Sequence, residues 1–224
     1  MKFGIGQATP RLEDSRLLTG AGCYSDDVAS GTGLRVAFLR APFSHARLLD
    51  LDVAPAAALD GVHLVATQAD LDADNVGEIK CQYKPPLLSG GKMQIVSKPP
   101  MMRDLNRHAG DIVAMVVADT QQIADDALAM IAAEFDPLPA VTDVYDAVAD
   151  GAPQLYPEYP QNIAFAWGIG ATEATAEAFK NAVSLGHEMV DIDVVNNRIV
   201  INSMETRPIV AAPGAEVGHL DVWC

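Results

Sequence analysis

The stretch DIVAMVVADTQQIADDALAMIAAEFDPLPAV, residues 111–141, carries the pattern that decides the fold. Residues 111–118 form a near-continuous apolar run, which is typical of a β-strand buried on both faces. Residues 135–141 contain Pro137 and Pro139, which cannot donate hydrogen bonds to a ladder. The stretch therefore opens on a buried strand and is predicted to close on an edge segment.

Between these two segments the sequence predicts a helix. Asp119 or Thr120 is suited to cap its N-terminus. Apolar residues follow at i, i+4, i+7 and i+8, and they are expected to form one buried stripe: Ile123, Ala127, Met130 and Ile131. Asp125 and Asp126 lie off that stripe and are expected to face solvent.

The preceding residues supply further strands. Two candidate strands, 34–40 and 46–53, are followed by a short helix at 54–60 that ends at Gly61. A third strand is predicted at 62–67. Strands and helices mixed in this order predict an α+β (mixed α/β) fold.

Two loop-rich stretches divide the chain. Residues 72–107 are irregular, and residues 145–161 are rich in proline and polar residues, which favours a linker. The predicted organisation is an N-terminal arm and first domain over 1–144, the linker, and an incomplete β-rich segment over 162–224.

The last segment has its own predicted elements. A strand is predicted at 162–170 and a helix at 171–182. The strict alternation of residues 187–195 predicts another strand. Residues 198–213 continue in β character, and LDVWC at 220–224 is expected to return as the second strand of a hairpin.

Charge limits the choice of partner. The 224 residues include 15 Lys and Arg against 30 Asp and Glu, for a formal net charge of -15. This charge repels nucleic-acid phosphates and anionic lipid headgroups, so neither is an expected partner.

The cysteines and the hydropathy predict a cytoplasmic protein. Cys23, Cys81 and Cys224 are odd in number and widely spaced, which favours reduced thiols over disulfides or a zinc site. No apolar run approaches the ~18 residues of a membrane span. The N-terminus lacks the continuous apolar core of a signal peptide.

Three short stretches resemble known ligand-binding motifs but lack residues that those motifs require. GIGQAT (4–9) has Thr9 where a dinucleotide fingerprint requires its third glycine, and PLLSGGKM (86–93) lacks two essential residues of a phosphate-binding loop. DLDADN (70–75) alternates like a calcium loop, but Asn75 stands at the turn glycine. A solvated acidic loop is the favoured interpretation of that segment.

No active-site residue can be assigned from these patterns. The five histidines have no HxH or HxxxH spacing, which leaves a local metal site unsupported. His45 follows Ser44, but neighbours on a strand point to opposite faces, so a structural role is favoured. Glu205 and Arg207 are expected to form an ion pair. The prediction is therefore no catalytic, no cofactor-binding and no metal-binding residue.

Several segments in order resemble the large, molybdenum-binding subunit of the xanthine oxidase family of hydroxylases, which includes aldehyde oxidases and aerobic carbon monoxide dehydrogenases. The strand–helix–strand stretch RHAGDIVAMVVADTQQIADDALAMIAAEFDPLPAV resembles the signature of the family's α/β hammerhead domain. The other segments are IGQATPRLEDSRLLTGAGCYSDDV, VAFLRAPFSHARLLDLD, NIAFAWGIG and VVNNRIVINSMETRPIVAAP.

Two positions depart from the family pattern. Gly110-Asp111-Ile112 stands where the family has Gly-Glu-Pro, and the backbone donor regained at Ile112 is compatible with a strand. Phe43 stands where a histidine is common, although His45 remains. These departures leave the substrate class open.

The resemblance implies the parent enzyme's chemistry. It implies oxidative hydroxylation of an aldehyde, an N-heterocycle or a similar small molecule at a molybdopterin cofactor, with iron–sulfur and FAD centres on partner subunits. The glutamine segment, the glycine-rich cofactor loop and the catalytic glutamate of the family would follow LDVWC. The chain is thus expected to be an N-terminal portion, not catalytic by itself.

Three alternatives stay open. The chain pairs with the remaining C-terminal part of the large subunit, or it self-associates through exposed strand edges at IVINSM and LDVWC. It could instead be a non-catalytic interaction or assembly module that uses the hammerhead fold. A small-ligand binder that uses the 72–107 loop has no polar constellation to support it.

Overall fold

A computed structural model describes residues 6, 8–28, 33–88, 90, 93, 95–196, 199 and 207–224. By internal contacts the chain divides into two compact units. The central unit comprises residues 34–192, and the terminal unit comprises the described residues of 1–33 and 193–224. The predicted division at 145–161 stays a prediction.

Helices and antiparallel strands are mixed in the described residues, as the predicted fold class requires. The helices are α1 (Asp14–Leu18), α2 (Ser25–Val28), α3 (Ala54–Ala57), α4 (Gln68–Ala73), α5 (Gln121–Met130), α6 (Val144–Ala147) and α7 (Thr172–Ser184). The strands are β1 (Arg35–Arg40), β2 (Ala46–Asp52), β3 (Val62–Thr67), β4 (Leu105–Asn106), β5 (Ile112–Ala118), β6 (Ala132–Pro137), β7 (Val210–Pro213) and β8 (Leu220–Trp223).

Strand β5 is the centre of the first sheet. The strand order is β1-β5-β3, and both neighbours run antiparallel to β5. Every second residue of β5 from Ala114 to Ala118 is buried, and Val113 is buried on the other side. The predicted strand in the apolar run 111–118 is therefore confirmed, and so are the strands predicted at 34–40 and 62–67.

Helix α5 packs on one side of this sheet through very small side chains. Ala114 and Ala118 of β5, and Ala124 and Ala127 of α5, have no exposed surface. Ala56 of α3 belongs to the same cluster. Because alanine ends at Cβ, the helix approaches the strand closely, and interiors packed in this way leave little room for a larger side chain.

A second sheet has the order β4-β2-β6 and is also antiparallel. Strand β6 lies at its edge, as the two prolines of 135–141 predict, although the strand begins earlier, at Ala132. A second apolar cluster contains Val113 of β5, Leu48 of β2 and Phe135 of β6. This cluster joins the two sheets on the side of β5 that faces away from the helices.

The cap of α5 is as predicted, but its buried stripe is shifted. Thr120 Oγ1 accepts a hydrogen bond of 3.2 Å from the Ile123 amide. Met130 is exposed, which contradicts the predicted stripe, because the helix ends there. Ala124 and Leu128 pack on the sheet instead, while Asp125 and Asp126 face solvent as expected.

The acidic segment DLDADN forms part of a helix, which corrects its interpretation as a loop. Thr67 and Asp70 form a reciprocal capping box at the start of α4. The Thr67 backbone amide donates to Asp70, and this bond lowers the pKa of that carboxyl. The Thr-x-x-Asp spacing is a helix-start signal that was readable in the sequence.

Helix α3 ends at Ala57 with Ala58 as its C-cap, so it is shorter than the predicted 54–60, and Gly61 lies in the following turn with a positive φ of 85°. A Cβ built there would lie 2.9 Å from Ile123 Cδ1 and 3.2 Å from Asp119 Oδ2. Its carbonyl accepts a hydrogen bond from the Asp119 amide. The start of β3 is thus fixed against the start of α5.

Two predicted strands are wrong. Residues 162–170 form a single bridge, between Trp167 and Leu87, and Gly170 adopts a φ of 111° that breaks extended backbone. Residues 187–195 form no ladder with any described residue, and they are exposed. Alternation marks a strand with one covered face, and here no described segment covers it. The helix predicted at 171–182 is confirmed as α7.

The terminal unit contains the predicted final hairpin. Strands β7 and β8 pair antiparallel, with Val210 opposite Trp223, and α2 contacts β7. All four residues of β8 are exposed. Within 198–213, residues 198 and 200–206 lie outside the described residues, and so does Glu205 of the predicted Glu205–Arg207 pair. Most of the predicted edge IVINSM lies there as well.

The predicted linker residues contact the rest of the central unit. Arg107 Nε donates a hydrogen bond of 2.9 Å to the Leu155 carbonyl, and its guanidinium lies 4.3 Å from the Tyr156 ring centroid. Tyr156 in turn stacks edge-on against Tyr159, which is 5% exposed. Burial raises the pKa of the Tyr156 phenol, and the positive charge of Arg107 opposes this rise.

None of the helices in the described part of the chain combines the length and the apolar composition needed to cross a bilayer.

We expect Thr120→Ala to lower the free energy of unfolding of the chain by about 1 kcal/mol, because the Ile123 amide loses its acceptor. Urea denaturation followed by circular dichroism measures the change. Thr120→Ser is the matched control, since it keeps an acceptor oxygen at the cap. Equal stability of the Ala and Ser variants would show that the cap contributes nothing.

Tyr156 gives a pH-dependent test. Its pKa is higher in the folded state, so its contribution to stability is complete below the ordinary value of about 10 and is lost as the pH rises through the raised pKa. In an ultraviolet titration, Tyr156→Phe should remove absorbance that develops above pH ~10. The same comparison in urea is the control, because unfolding removes the burial. A difference that is identical in buffer and in urea would contradict the expected shift.

Candidate functional site

Charged and polar side chains of the central unit meet in a cleft around Asp111. The cleft is lined by Lys98, Arg107, His108, Asp111 and Tyr156, together with Ser97, Pro99, Met101 and Met102. These residues come from the irregular stretch 72–107, the turn before β5 and the predicted linker. We refer to this feature as the Asp111 cleft.

Asp111 is placed by a tight turn at the start of β5. Gly110 has a φ of 91°, and its amide donates to the Ala41 carbonyl. The Asp111 amide donates to the His108 carbonyl at 3.3 Å, and the Asp111 carbonyl accepts from the Ala41 amide. Because the Asp111 amide and carbonyl are both hydrogen-bonded, the residue is fixed in position just before the start of β5.

Three donors surround the Asp111 carboxylate. The Arg107 amide donates to Oδ2 at 2.9 Å, while His108 Nδ1 and Lys98 Nζ lie 3.1 Å and 3.4 Å from Oδ1. The Asp111 side chain is only 14% exposed, whereas those of Lys98 and His108 are about half exposed. The carboxylate is thus the inner, largely desolvated member of the cluster.

A second ion-pair network lies next to the cleft. Arg103 reaches Asp72 at 3.0 Å and Glu78 at 3.5 Å, and Ser97 also donates to Glu78. Hydrogen bonds from Arg103 are the main reason why the pKa of Asp72 is lowered. All these groups are substantially exposed, so the network contributes little stability but fixes the path of residues 72–103.

The chemistry available in the Asp111 cleft is limited. Asp111 is already occupied by three donors, and the enclosed space is about 40 Å³, far below the 300 Å³ or more of ordinary small-molecule pockets. In the described part of the chain, no group of three His, Cys, Asp or Glu side chains is arranged to hold a metal ion. The Asp111 cleft itself is too small to hold a molybdopterin cofactor.

A larger groove lies along the irregular stretch. It encloses about 490 Å³ between residues 78–84 and 95–97, and it is lined by Lys80, Cys81 and Lys84 among others. The Cys81 thiol lies 3.2 Å from the Tyr83 carbonyl. Glu78 in its wall is already paired with Arg103, and the remaining polar groups do not converge on one point.

Of the histidines and cysteines weighed from the sequence, only His108 lines the Asp111 cleft. His45 is 7% exposed, its Nδ1 donates to the Pro139 carbonyl at 2.8 Å, and its buried Nε2 has no hydrogen-bond partner among the described residues. Its structural role stays a prediction. Cys23, Cys81 and Cys224 are free and exposed. Among the other histidines, His63 pairs with Asp119 at 2.7 Å and His108 belongs to the cleft.

The sequence draws attention to Gly110-Asp111-Ile112 through its backbone, but the contacts of the Asp111 side chain are visible only in the structure. Residues 98–111 carry four basic side chains, Lys98, Arg103, Arg107 and His108, against two acids, Asp104 and Asp111, and this local excess of basic residues is the signal in the sequence. The contribution of Leu155 and Tyr156 had no comparable signal.

Comparisons with known proteins match this fold. A family model described as aldehyde oxidase and xanthine dehydrogenase, a/b hammerhead domain, matches residues 19–139. The nicotine 6-hydroxylase large subunit of Paenarthrobacter nicotinovorans is 32% identical over 98% of this chain and 25% of its own length. The carbon monoxide dehydrogenase large chain of Afipia carboxidovorans is 31% identical over 98% of this chain and 27% of its own.

Solved structures are also similar to this chain. Quinoline 2-oxidoreductase from Pseudomonas putida 86 is 39% identical, with a TM-score of 0.59 over 71% of this chain and 19% of its own. A Cu,Mo-CO dehydrogenase is 30% identical, with a TM-score of 0.59 over 79% of this chain and 22% of its own. The chain thus spans about a quarter of the length of the curated relatives it matches.

The family match covers the two sheets and α5, and it includes Asp111 and most of its cleft. By its matched sequence and its architecture, this chain belongs to the aldehyde oxidase and xanthine dehydrogenase family, and residues 19–139 form its a/b hammerhead domain.

Proposed function

We propose that the chain supplies the N-terminal, hammerhead-containing portion of the large subunit of a molybdenum hydroxylase. The observation that carries this proposal is the match of nearly the whole chain to about a quarter of two large subunits, those of a nicotine 6-hydroxylase and a carbon monoxide dehydrogenase. The proposed organisation is an arm and hammerhead domain over 1–144, a linker over 145–161, and the beginning of a molybdopterin-binding domain over 162–224.

The proposed parent reaction is oxidative hydroxylation of a small molecule. Nicotine and quinoline, in the names of two relatives, are N-heterocycles, and a third relative is an aldehyde oxidoreductase. An N-heterocycle or an aldehyde is therefore the substrate class we propose for the assembled enzyme, in a cytoplasmic setting. Molybdopterin would be bound mainly by the remainder of the large subunit, with iron–sulfur and FAD centres on partner subunits.

Within this assembly the chain's own described residues act structurally. Asp111 contacts both Lys98 and the turn before β5. Arg107 connects that turn to Leu155 through a hydrogen bond and to Tyr156 through a cation–π contact. The Asp111 cleft thus connects the hammerhead sheet to the segment that leads onward in sequence. We propose that the chain alone is not catalytic.

Metal content tests the proposal. The assembly is recovered from the source cells through a tag on this chain, and its molybdenum is measured by mass spectrometry. We expect stoichiometric molybdenum in the assembly, none in the chain expressed alone, and dye-linked oxidation of an aldehyde or N-heterocycle only by the assembly. An assembly without molybdenum would overturn the proposal and favour the interaction-module alternative.

The structural role of the cleft has its own test. Asp111→Asn should lower the free energy of unfolding by about 2 kcal/mol, because a largely buried carboxylate loses charge-assisted bonds to Lys98 and His108. Denaturant titration measures this loss.

The matched control is Asp104→Asn. Asp104 pairs with Arg47 at 3.6 Å and is 75% exposed, so we expect a loss of about 0.5 kcal/mol or less. Equal losses in the two variants would show that Asp111 contributes no more to the free energy of unfolding than an exposed ion-pair residue does.

A further inference from the structure

One side of the first sheet presents a continuous apolar surface. In the strand register, Val117 lies between Val36 and Leu64, and Met115 lies between Phe38 and Ala66. Residues directly opposite one another in antiparallel strands point to the same side. We name this surface the open sheet face and define it by these six residues.

The open sheet face is only partly covered in the described structure. Val36, Phe38 and Leu64 are 43%, 41% and 47% exposed, Met115 and Val117 are half-buried, and Ala66 is buried at 3% exposed. The opposite side of the same strands holds the alanine core under α3 and α5. Val113, two residues before Met115 on the open side, is 1% exposed within the second core cluster. The open sheet face is therefore continuous with the second core cluster, which covers this side of the sheet only near Val113.

A positive charge marks the covered end of this surface. The Arg40 guanidinium lies 5.8 Å from the Phe38 ring centroid, and Arg40 Nη1 donates to the Gly110 carbonyl at 2.9 Å. Both contacts fix the cation beside the apolar residues. A partner that covers the face would gain by placing a carboxylate next to Arg40.

The size of the face argues against a freely associating partner. Three strands about 4.8 Å apart and two rows of side chains about 7 Å apart outline roughly 200 Å². Stable interfaces between separate proteins bury about 800 Å² per partner. Two copies of this chain would also each carry a formal charge of -15, so a second copy is disfavoured by size and by repulsion.

A partner already held in the same subunit does not need a large surface. Attachment raises its effective concentration to the millimolar range, which makes a small apolar contact sufficient. The relatives have about three quarters of their length beyond the part that this chain matches. The small size of the face and the effect of attachment both favour that remainder as the occupant.

We propose that the open sheet face is covered by an apolar segment of the remaining part of the large subunit, with a carboxylate that meets Arg40. This inference rests on the proposed function, because it takes its occupant from the large subunit of that enzyme. It adds the surface, the strands that form it and the chemistry of the contact.

Site-specific crosslinking tests the occupant. The photoreactive residue p-benzoylphenylalanine is placed at position 38 of the tagged chain in the source cells, and the crosslinked peptide is identified after irradiation. We expect a peptide from the molybdenum-binding remainder of the large subunit. A peptide from residues 1–224 of a second copy, a peptide from another subunit, or no crosslinked peptide would overturn the proposal.

Charge substitutions test the contact itself. Val36→Lys and Leu64→Lys, on two different strands, should each lower recovery of the molybdenum-containing assembly through the tagged chain about tenfold, since an ammonium would be buried against apolar surface. Val148→Lys is the matched control, because Val148 is as exposed as Val36, at 43%. Its recovery should stay at the wild-type level.

Thermal unfolding of the isolated variants separates docking from folding. The midpoints of all three lysine variants should lie together, since each side chain is already exposed in the chain alone. Loss of recovery with unchanged midpoints supports the proposal. Unchanged recovery in Val36→Lys or Leu64→Lys, or a loss matched by a lowered midpoint, overturns it.

Molybdenum content of the same preparations distinguishes the two levels of failure. An assembly that contains molybdenum, but whose recovery ignores both face variants, overturns the docking surface and leaves the proposed function intact. An assembly without molybdenum overturns the proposed function, and this inference with it.

Discussion

The close packing of α5 on β5 through alanine is the constraint on which the central unit depends. Ala114, Ala118, Ala124 and Ala127 have no exposed surface, and they set how near the helix lies to the sheet. Strands β1 and β3 both take their register from β5, so their positions follow from the same contact. Gly61 extends this constraint to the α3–β3 turn, where a side chain would collide with Ile123. The turn before β5 then carries Asp111 into its cleft.

Much of this unit could be predicted from the sequence, because its signals are local. A buried central strand needs a run of apolar residues, and a capped helix needs Thr120 and an apolar stripe. The two strands predicted wrongly are elements that depend on a partner segment. Residues 187–195 alternate as a half-covered strand does, yet no described segment pairs with them. Residues 162–170 contain two glycines and reach a partner only at Trp167. An alternating pattern indicates which face of a strand could be buried, but burial also requires a second segment that packs on that face.

The candidate site was less predictable for a related reason. Its local part, with Lys98, Arg107 and His108 around Asp111, is visible as a cluster of charge in the sequence. Its long-range part joins Arg107 to Leu155 across 48 residues, and this contact follows from the path of the chain. The family resemblance predicted the domain but not the cleft, because Asp111 stands at a position where this sequence departs from the family pattern. Its role emerged only from the distances to its neighbours.

The division into units has a consequence for the order of events during synthesis. The central unit is one uninterrupted stretch, 34–192, whereas the terminal unit combines residues 1–33 with residues 193–224. Since domains form as their chain emerges, at about 5–20 residues per second, the central unit can fold while 193–224 is still being made. Helix α2 can contact β7 only after that strand has left the ribosome. For that interval of roughly two to six seconds, α2 lacks this contact while the sheet of the central unit can already form.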